Sequence, residues 1–320
     1  MHDPLSTLAK ELADRPAAKP GERRASRWLV EQLRRSTYQV WVEPFSSFHS
    51  SRPAWGMILG LSLVGGILLR PAPGLGLVLT LLGAVGFAAQ SLGWLQLGWL
   101  FPRGESQNVV GVIPANDEIR QRVVVVAHYD TGERLWAGPA FLTVAGAAML
   151  LPPACVAALV LPGPLWDLLV LLPLTLMAAV LIALALPGRP YGNNAGVAVA
   201  LAVGQSAPLK HTEVWTVFTG SRAPGLVGIQ AFLLRHGRLL ADGDFIVLEE
   251  DEGEGATLWQ RRGEAAVIAE HGHRAAVLLP VSREDIAGTA ARVRSMAEAV
   301  DREACNSPPS PEPDCGTLPV

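Results

Sequence analysis

The sequence predicts an α/β fold, a mostly parallel sheet flanked by helices, interrupted by two transmembrane helical hairpins. Three observations carry this expectation. Strand-like and helix-like segments alternate along the polar parts of the chain, as in folds that layer helices on a parallel sheet. Residues Arg122–Ala127 form a run dense in Val, as expected of a strand buried on both faces. Apolar residues make up half of the 320-residue chain and gather in four long charge-free runs.

Taken in order, Ala25, Trp28, Leu29 and Leu33 fall on one face of a helix over 20–36, while Glu22, Arg24, Arg27, Glu31 and Arg35 are assigned to the solvent face. Tyr38, Val40 and Val42 alternate with Gln39, Trp41 and Glu43, a strand pattern. Val109–Ile113 and Arg122–Ala127 are apolar, β-branched runs separated by a polar turn. Further on, Ala195–Gln205 reads as a helix, Glu213–Thr219 as a strand, Gly225–Arg235 as a helix and Asp244–Glu249 as a strand. Arg274–Leu279 and Arg283–Val300 add a candidate strand and a terminal helix, and the Pro-rich stretch from Asn306 to Val320 is expected to be disordered.

The charge-free runs have the length of membrane spans. There are 17 residues between Arg52 and Arg70, 32 from Pro71 to Pro102, 32 from Leu135 to Trp166 and 21 from Leu168 to Gly188. A span needs about 20 apolar residues. Spans are placed at 54–70, 74–96, 138–161 and 165–186, joined pairwise by the turns at 70–74 and 162–164; the first is short and Gly-rich. Two hairpins put all the polar segments on one side, with Arg23, Arg24, Arg27, Arg34, Arg35, Arg52, Arg103, Arg120 and Arg122. The opposite loops hold Arg70 alone, so the positive-inside rule assigns the polar segments to the cytoplasmic side of the inner membrane. Residues 1–53 are polar and Arg-rich, so no secretory signal is expected. The net charge of −3 gives no basic field and excludes nucleic acid as a partner. Cys155, Cys305 and Cys315 are too few and too scattered for a disulfide framework or a thiolate zinc site.

In an open parallel sheet, ligands bind beyond the carboxyl ends of the strands. Those ends carry His128-Tyr129-Asp130, Gly220-Ser221-Arg222 and Glu249-Glu250-Asp251, with Asn193-Asn194 opening the following helix. These segments, in this order, resemble the co-catalytic two-zinc aminopeptidase family, which also includes glutaminyl cyclase-like members. Ser106–Pro114 followed by Arg122–Thr131 is similar to that family's paired strands ending in His-x-Asp. Tyr191–Ala198 is similar to its Gly-x-Asp-Asn-Ala-x-Gly-Val-Ala helix opening. Val214–Gly228 is similar to its Thr-Gly-x-Glu-Glu turn, and Asp244–Glu249 to its Asn-x-Asp strand. The resemblance spans about residues 20 to 260, with both hairpins as insertions. It assigns 1–53, 102–136 and 188–303 to one peptidase-like domain, 54–101 and 137–187 to the hairpins, and 304–320 to the tail.

The resemblance implies peptide hydrolysis by two zinc ions held by two His and three carboxylates, with a Glu as general base. His128 takes the place of the first ligand and Asp130 that of the carboxylate that orients it. Asn193 stands where the bridging Asp is expected, Glu249 stands for an Asp ligand, and Arg222 and Ala223 replace the Glu-Glu pair. No late His aligns. One carboxylate then remains of four, and Arg222 adds a cation, too little negative charge for two dications in a low-dielectric cleft. The expected function is therefore a binding or regulatory pseudo-peptidase, with the membrane, a peptide or a membrane protein as partner. Two other readings stay open. One is a mono-zinc peptidase using His128, Glu249 and a further donor, with Asp130 or Glu250 as base. The other is a non-enzymatic membrane component. Simpler roles also stay open: Asn193 and Asn194 as helix caps, Arg222 paired with Glu249 or Asp130, His128 bonded to Asp130, His271 and His273 in a surface turn, Glu249–Glu254 as a solvated loop, and Cys155 as packing.

Overall fold

The computed structural model describes residues 4–35, 39–92, 97–133, 139–161, 163–186, 190–222, 225–250, 264–273 and 277–306. In chain order the elements are α1 (Pro4–Lys10), α2 (Pro20–Leu33), β1 (Gln39–Phe48), α3 (Arg52–Leu68), α4 (Pro73–Ser91), β2 (Arg103–Ile113), β3 (Gln121–His128), β4 (Thr131–Glu133), α5 (Pro139–Val160), α6 (Pro164–Ala185), β5 (Pro190–Gly192) and α7 (Asn194–Gly204). They continue with β6 (Thr212–Thr219), α8 (Val227–His236), β7 (Asp244–Glu250), α9 (Glu264–Glu270), β8 (Val277–Val281) and α10 (Ile286–Asn306).

Among the described residues, six strands form one sheet in the order β1-β2-β6-β3-β7-β8. The β6–β3, β3–β7 and β7–β8 pairings are parallel, and β1–β2 and β2–β6 are antiparallel. The parallel part is central because β3 buries both of its faces. Val123, Val125 and Ala127 pack with α2, α7 and α10, while Val124 and Val126 pack with Ile229 and Phe232 of α8 and Ile268 of α9. The unbroken Val run thus follows from a three-layer arrangement. Helix α7 lacks a polar face because it lies between the sheet and the α1 and α10 helices, with nearly every residue buried.

Two expectations are corrected, and the strand expected around 39–43 is present with burial of its own. Glu22, assigned to the solvent face of α2, is fully buried, because the 15–19 segment and the Ser221 turn cover the first turn of that helix. In β1 the buried positions are Glu43 and Ser47, and Val42 is exposed, because Glu43 accepts hydrogen bonds from Trp41 and His236 on the α8 face. Helix α10 runs on to Asn306, so 304–306 are helical; 307–320 lie outside the described residues, as do Tyr38, Ala223 and Asp251–Glu254.

The four apolar helices pack on one another, α3 along α4, α5 along α6, α4 on α5 and α3 on α6. Three of them, Pro73–Ser91, Thr143–Val160 within α5 and Asp167–Ala185 within α6, are long and apolar enough to cross a membrane. The 17-residue α3 spans about 25 Å at 1.5 Å per residue, a little short of the hydrocarbon core. Ile67, Val78, Leu82 and Val85 of the first hairpin and Leu150, Val160, Leu168, Leu172 and Ile182 of the second are each more than half exposed. That apolar belt is larger than a water-soluble surface normally carries. Pro152, Pro153 and Pro173 sit inside the second hairpin's helices, where membrane helices tolerate them.

The first hairpin closes on small residues. A Cβ on Gly65 would lie 2.6 Å from the Thr80 amide nitrogen, and one on Gly76 2.7 Å from the Gly65 carbonyl oxygen. Association of membrane helices rests on such close backbone approach. Gly76→Val is therefore expected to prise α3 from α4 at a cost of about 1–3 kcal/mol. The check is the thermal midpoint in detergent beside Gly74→Val, whose Cβ would meet open space. Equal midpoints would contradict the packing.

Candidate functional site

Strands β3, β6 and β7 are parallel, so their carboxyl ends and the start of α7 converge on one edge of the sheet. His128 ends β3 level with Thr219 of β6. Beyond it the chain turns through Asp130 into the β4–β5 ribbon, pairing Thr131 with Gly192, from which the second hairpin leaves and to which it returns. His128 and Asp130 are buried. Burial, then Arg222 and Arg15, holds the His128 imidazole well below its ordinary pKa, so it is neutral.

Asn193 caps α7. Its Oδ1 accepts from the Gly196 amide at 3.0 Å, while its Nδ2 donates to the Leu248 carbonyl at 2.7 Å and stands 3.4 Å from His128 Nδ1. Asn194 turns the other way and accepts from Arg15. Arg222 pairs with Glu249 across β6 and β7, Nη2 to Oε1 at 2.8 Å, and both side chains are largely buried. Glu250 accepts from the Ala195 amide at 3.1 Å and pairs with Arg283. The structure thus brings His128, Asp130, Asn193, Arg222 and Glu249 to one edge. His271 and His273 are elsewhere, in the turn after α9, with His273 beside the Leu240 carbonyl.

Three further charged residues belong to this edge. Arg15 is fully buried between α1 and α2 and donates to Tyr129, Leu8 and Leu12 carbonyls at 2.7, 2.8 and 2.6 Å and to Asn194 Oδ1 at 2.6 Å. Burial brings its pKa down to about 10 against the opposing pull of Asp130 and Glu250. Glu22 accepts from Ser106 Oγ at 2.8 Å, the Ser221 amide at 3.2 Å and the Ala18 amide at 2.6 Å, so it props the turn that presents Arg222. Burial, then Asp130, pushes it up to about 8. Glu264, at the start of α9, accepts from Thr219 Oγ1 and is pushed up to about 7 by burial. No motif marked these residues. A Glu three places before the apolar stripe of α2 is the only signal that pointed toward Glu22, and it equally fits a solvated helix start.

The zinc implied by the resemblance does not fit these residues. Among the described residues, no group of three or more His, Cys, Asp or Glu is placed to hold a metal ion. The Asn193 amide is committed to a cap and a strand carbonyl, so it offers no bridging anion. Glu249 faces a guanidinium, and a dication beside His128 would meet the same cation that lowers the imidazole pKa.

No family model and no curated protein matches the sequence. In structure the chain is similar to bacterial zinc aminopeptidases and to glutaminyl cyclases. With a zinc aminopeptidase from Bacillus subtilis it shares 11% identity over 92% of this chain and 93% of the other, at a TM-score of 0.48. With an aminopeptidase from Aneurinibacillus sp. strain AM-1 the values are 12%, 87%, 84% and 0.45. With the glutaminyl cyclase of Fimbriiglobus ruber they are 9%, 77%, 60% and 0.39.

Proposed function

We propose that the chain is a membrane-embedded pseudo-peptidase, a binding protein whose cleft has the peptidase-like layout but carries its own counter-charges in place of metal. The observation behind this is the Arg222–Glu249 pair at 2.8 Å beside a neutral His128 and a capping Asn193. The pair sets a fixed cation against the carboxylate of Glu249, a counter-charge that disfavours a dication at the same place. Hydrolysis needs an activated water and a base. Glu249 is engaged with Arg222, His128 Nδ1 faces the Asn193 amide, and Glu22 and Glu264 hold structural hydrogen bonds.

Membrane insertion, with the sheet on the cytoplasmic side, is supported by the apolar belt and by charge placement. Arg70, the basic residue of the far loops, is paired with Asp167, whereas the sheet side carries the remaining arginines of the hairpin flanks.

The test is metal analysis and hydrolysis of aminoacyl p-nitroanilides by the full chain purified in detergent. Zinc well below one per chain is expected, with no chelator-sensitive hydrolysis. Two zinc ions per chain together with hydrolysis abolished by His128→Ala would overturn the reading.

A further inference from the structure

Among the described residues β1 is an outermost strand of the sheet, paired with β2 along one side and with no strand along the other. In an antiparallel strand each residue turns its N–H and C=O to the same side, and successive residues alternate. Pro44 has no N–H, and sheets admit proline on edge strands with that side facing out. Val40 and Val42 share its parity, so their main-chain donors and acceptors also face out. The edge is open over the first half of β1 and closed at Pro44.

Alongside this edge, between α2 and the β1–β2 pair, runs a groove of about 360 Å³. It is lined by Arg23, Arg27, Val30 and Arg34 of α2, Val42 of β1 and Gln107 of β2, with Glu31 as one opposing carboxylate. The first four are spaced i, i+4, i+7 and i+11, so they share one helix face and their three guanidinium groups form a row. Arg23 reaches Glu105 at 3.2 Å, but the two side chains are 49% and 63% exposed, so the pair holds weakly. Among the described residues the guanidinium groups of Arg27 and Arg34 have no ion pair or hydrogen bond.

The shape of the row and the open edge select the occupant between them. At 1.5 Å per residue the three charges lie about 6 and 10 Å apart along α2, so they do not converge on a compact anion such as a phosphate. The edge calls for a backbone that offers a donor and an acceptor at every second residue, which a lipid headgroup lacks. A strand added to β1 would turn alternate side chains toward α2 about 7 Å apart, near the spacing of the row, with Val30 and Val42 as an apolar floor.

We propose that the β1 edge docks an extended polypeptide segment with Asp or Glu at alternate positions, its carboxylates lying along Arg23, Arg27 and Arg34. The surface is three strand positions from β3 and apart from the cleft, so the proposal does not depend on what the cleft does.

The full chain in phosphatidylcholine nanodiscs is titrated with a labelled peptide in which Glu and Thr alternate. The comparison probes are an isomer with the same residues in two blocks, an alternating Lys-Thr peptide, and two forms of the Glu-Thr peptide N-methylated on every Glu or on every Thr. The alternating acidic peptide is expected to bind most tightly, and more weakly as salt is raised. One parity of an added strand faces β1, so one methylated form should lose about tenfold or more in affinity and the other far less. Arg27→Gln with Arg34→Gln should weaken binding about tenfold, whereas Arg24→Gln with Arg35→Gln, outside the groove, should stay within about twofold. Bound peptide should slow amide exchange at 40–42.

Equal affinity for the block isomer, equal effects of the two methylations, equal losses in the two arginine pairs, or unchanged exchange at 40–42 would each overturn the inference. Tighter binding of pyrophosphate, or of glycerophosphoglycerol as the phosphatidylglycerol headgroup, would overturn it as well and assign the row to phosphate.

Discussion

Arg15→Ala is expected to lower the thermal midpoint of the detergent-solubilised chain by roughly 10 °C. The guanidinium is fully buried and satisfies three carbonyls and one amide oxygen drawn from α1, the β3 exit and the start of α7. Truncation leaves these acceptors without a donor and strips Asp130 and Glu250 of an opposing charge. Orphaned acceptors in a buried network cost about 3–5 kcal/mol in total. Against a domain stability of about 5–15 kcal/mol that is a large fraction. Arg15→Lys should recover only part of it, because a single ammonium cannot reach four acceptors that a planar fork spans. A midpoint unchanged in Arg15→Ala would mean that the second hairpin's root is held by other contacts.

Raising the pH from 6 to 9 is expected to destabilise the chain, and Glu22→Gln and Glu264→Gln should each blunt that loss. In the folded chain Glu22 is pushed up to about 8 and Glu264 to about 7, both from an ordinary 4.5 and both chiefly by burial. A carboxyl raised on folding binds its proton more tightly in the folded state. Its contribution is complete below about pH 4.5 and disappears as pH climbs through 7 for Glu264 and 8 for Glu22. Together the loss is on the order of several kcal/mol. In Glu22→Gln the amide keeps an oxygen for Ser106 and the Ser221 amide but turns a donor toward the Ala18 amide, an offset of about 1 kcal/mol at every pH. Thermal midpoints across this pH range decide the matter. A parallel decline in wild type and both variants would assign the loss to other groups.

Features set by composition or by one dominant contact were legible in the sequence. The hairpins showed as long runs without charge, the composition of helices apolar enough to cross a membrane. The centre of the sheet showed as a Val run, because both faces of β3 are covered. The capping role of Asn193 was readable from its place before an apolar helix. The antiparallel wing was not, since Arg103–Asn108 and Pro44–Phe48 are half-exposed and mixed in polarity, with nothing to fix their faces. Glu22 was misplaced because helical periodicity describes a helix side and not what later segments lay across it. Arg15 gave no signal at all. Its partners are mostly main-chain carbonyls, which every residue type carries.

Arg52 sits where the polar sheet gives way to the apolar bundle. It starts one helix while capping another with a cation at the negative end of its dipole. Two elements pinned at their bases in this way cannot change tilt separately. In the membrane setting proposed above, a bilayer whose thickness departs from the bundle's own length would make the packed helices lean as a single body. The β1–β2 wing and the Asn193 cap, attached on opposite flanks, would then ride with it as one lever.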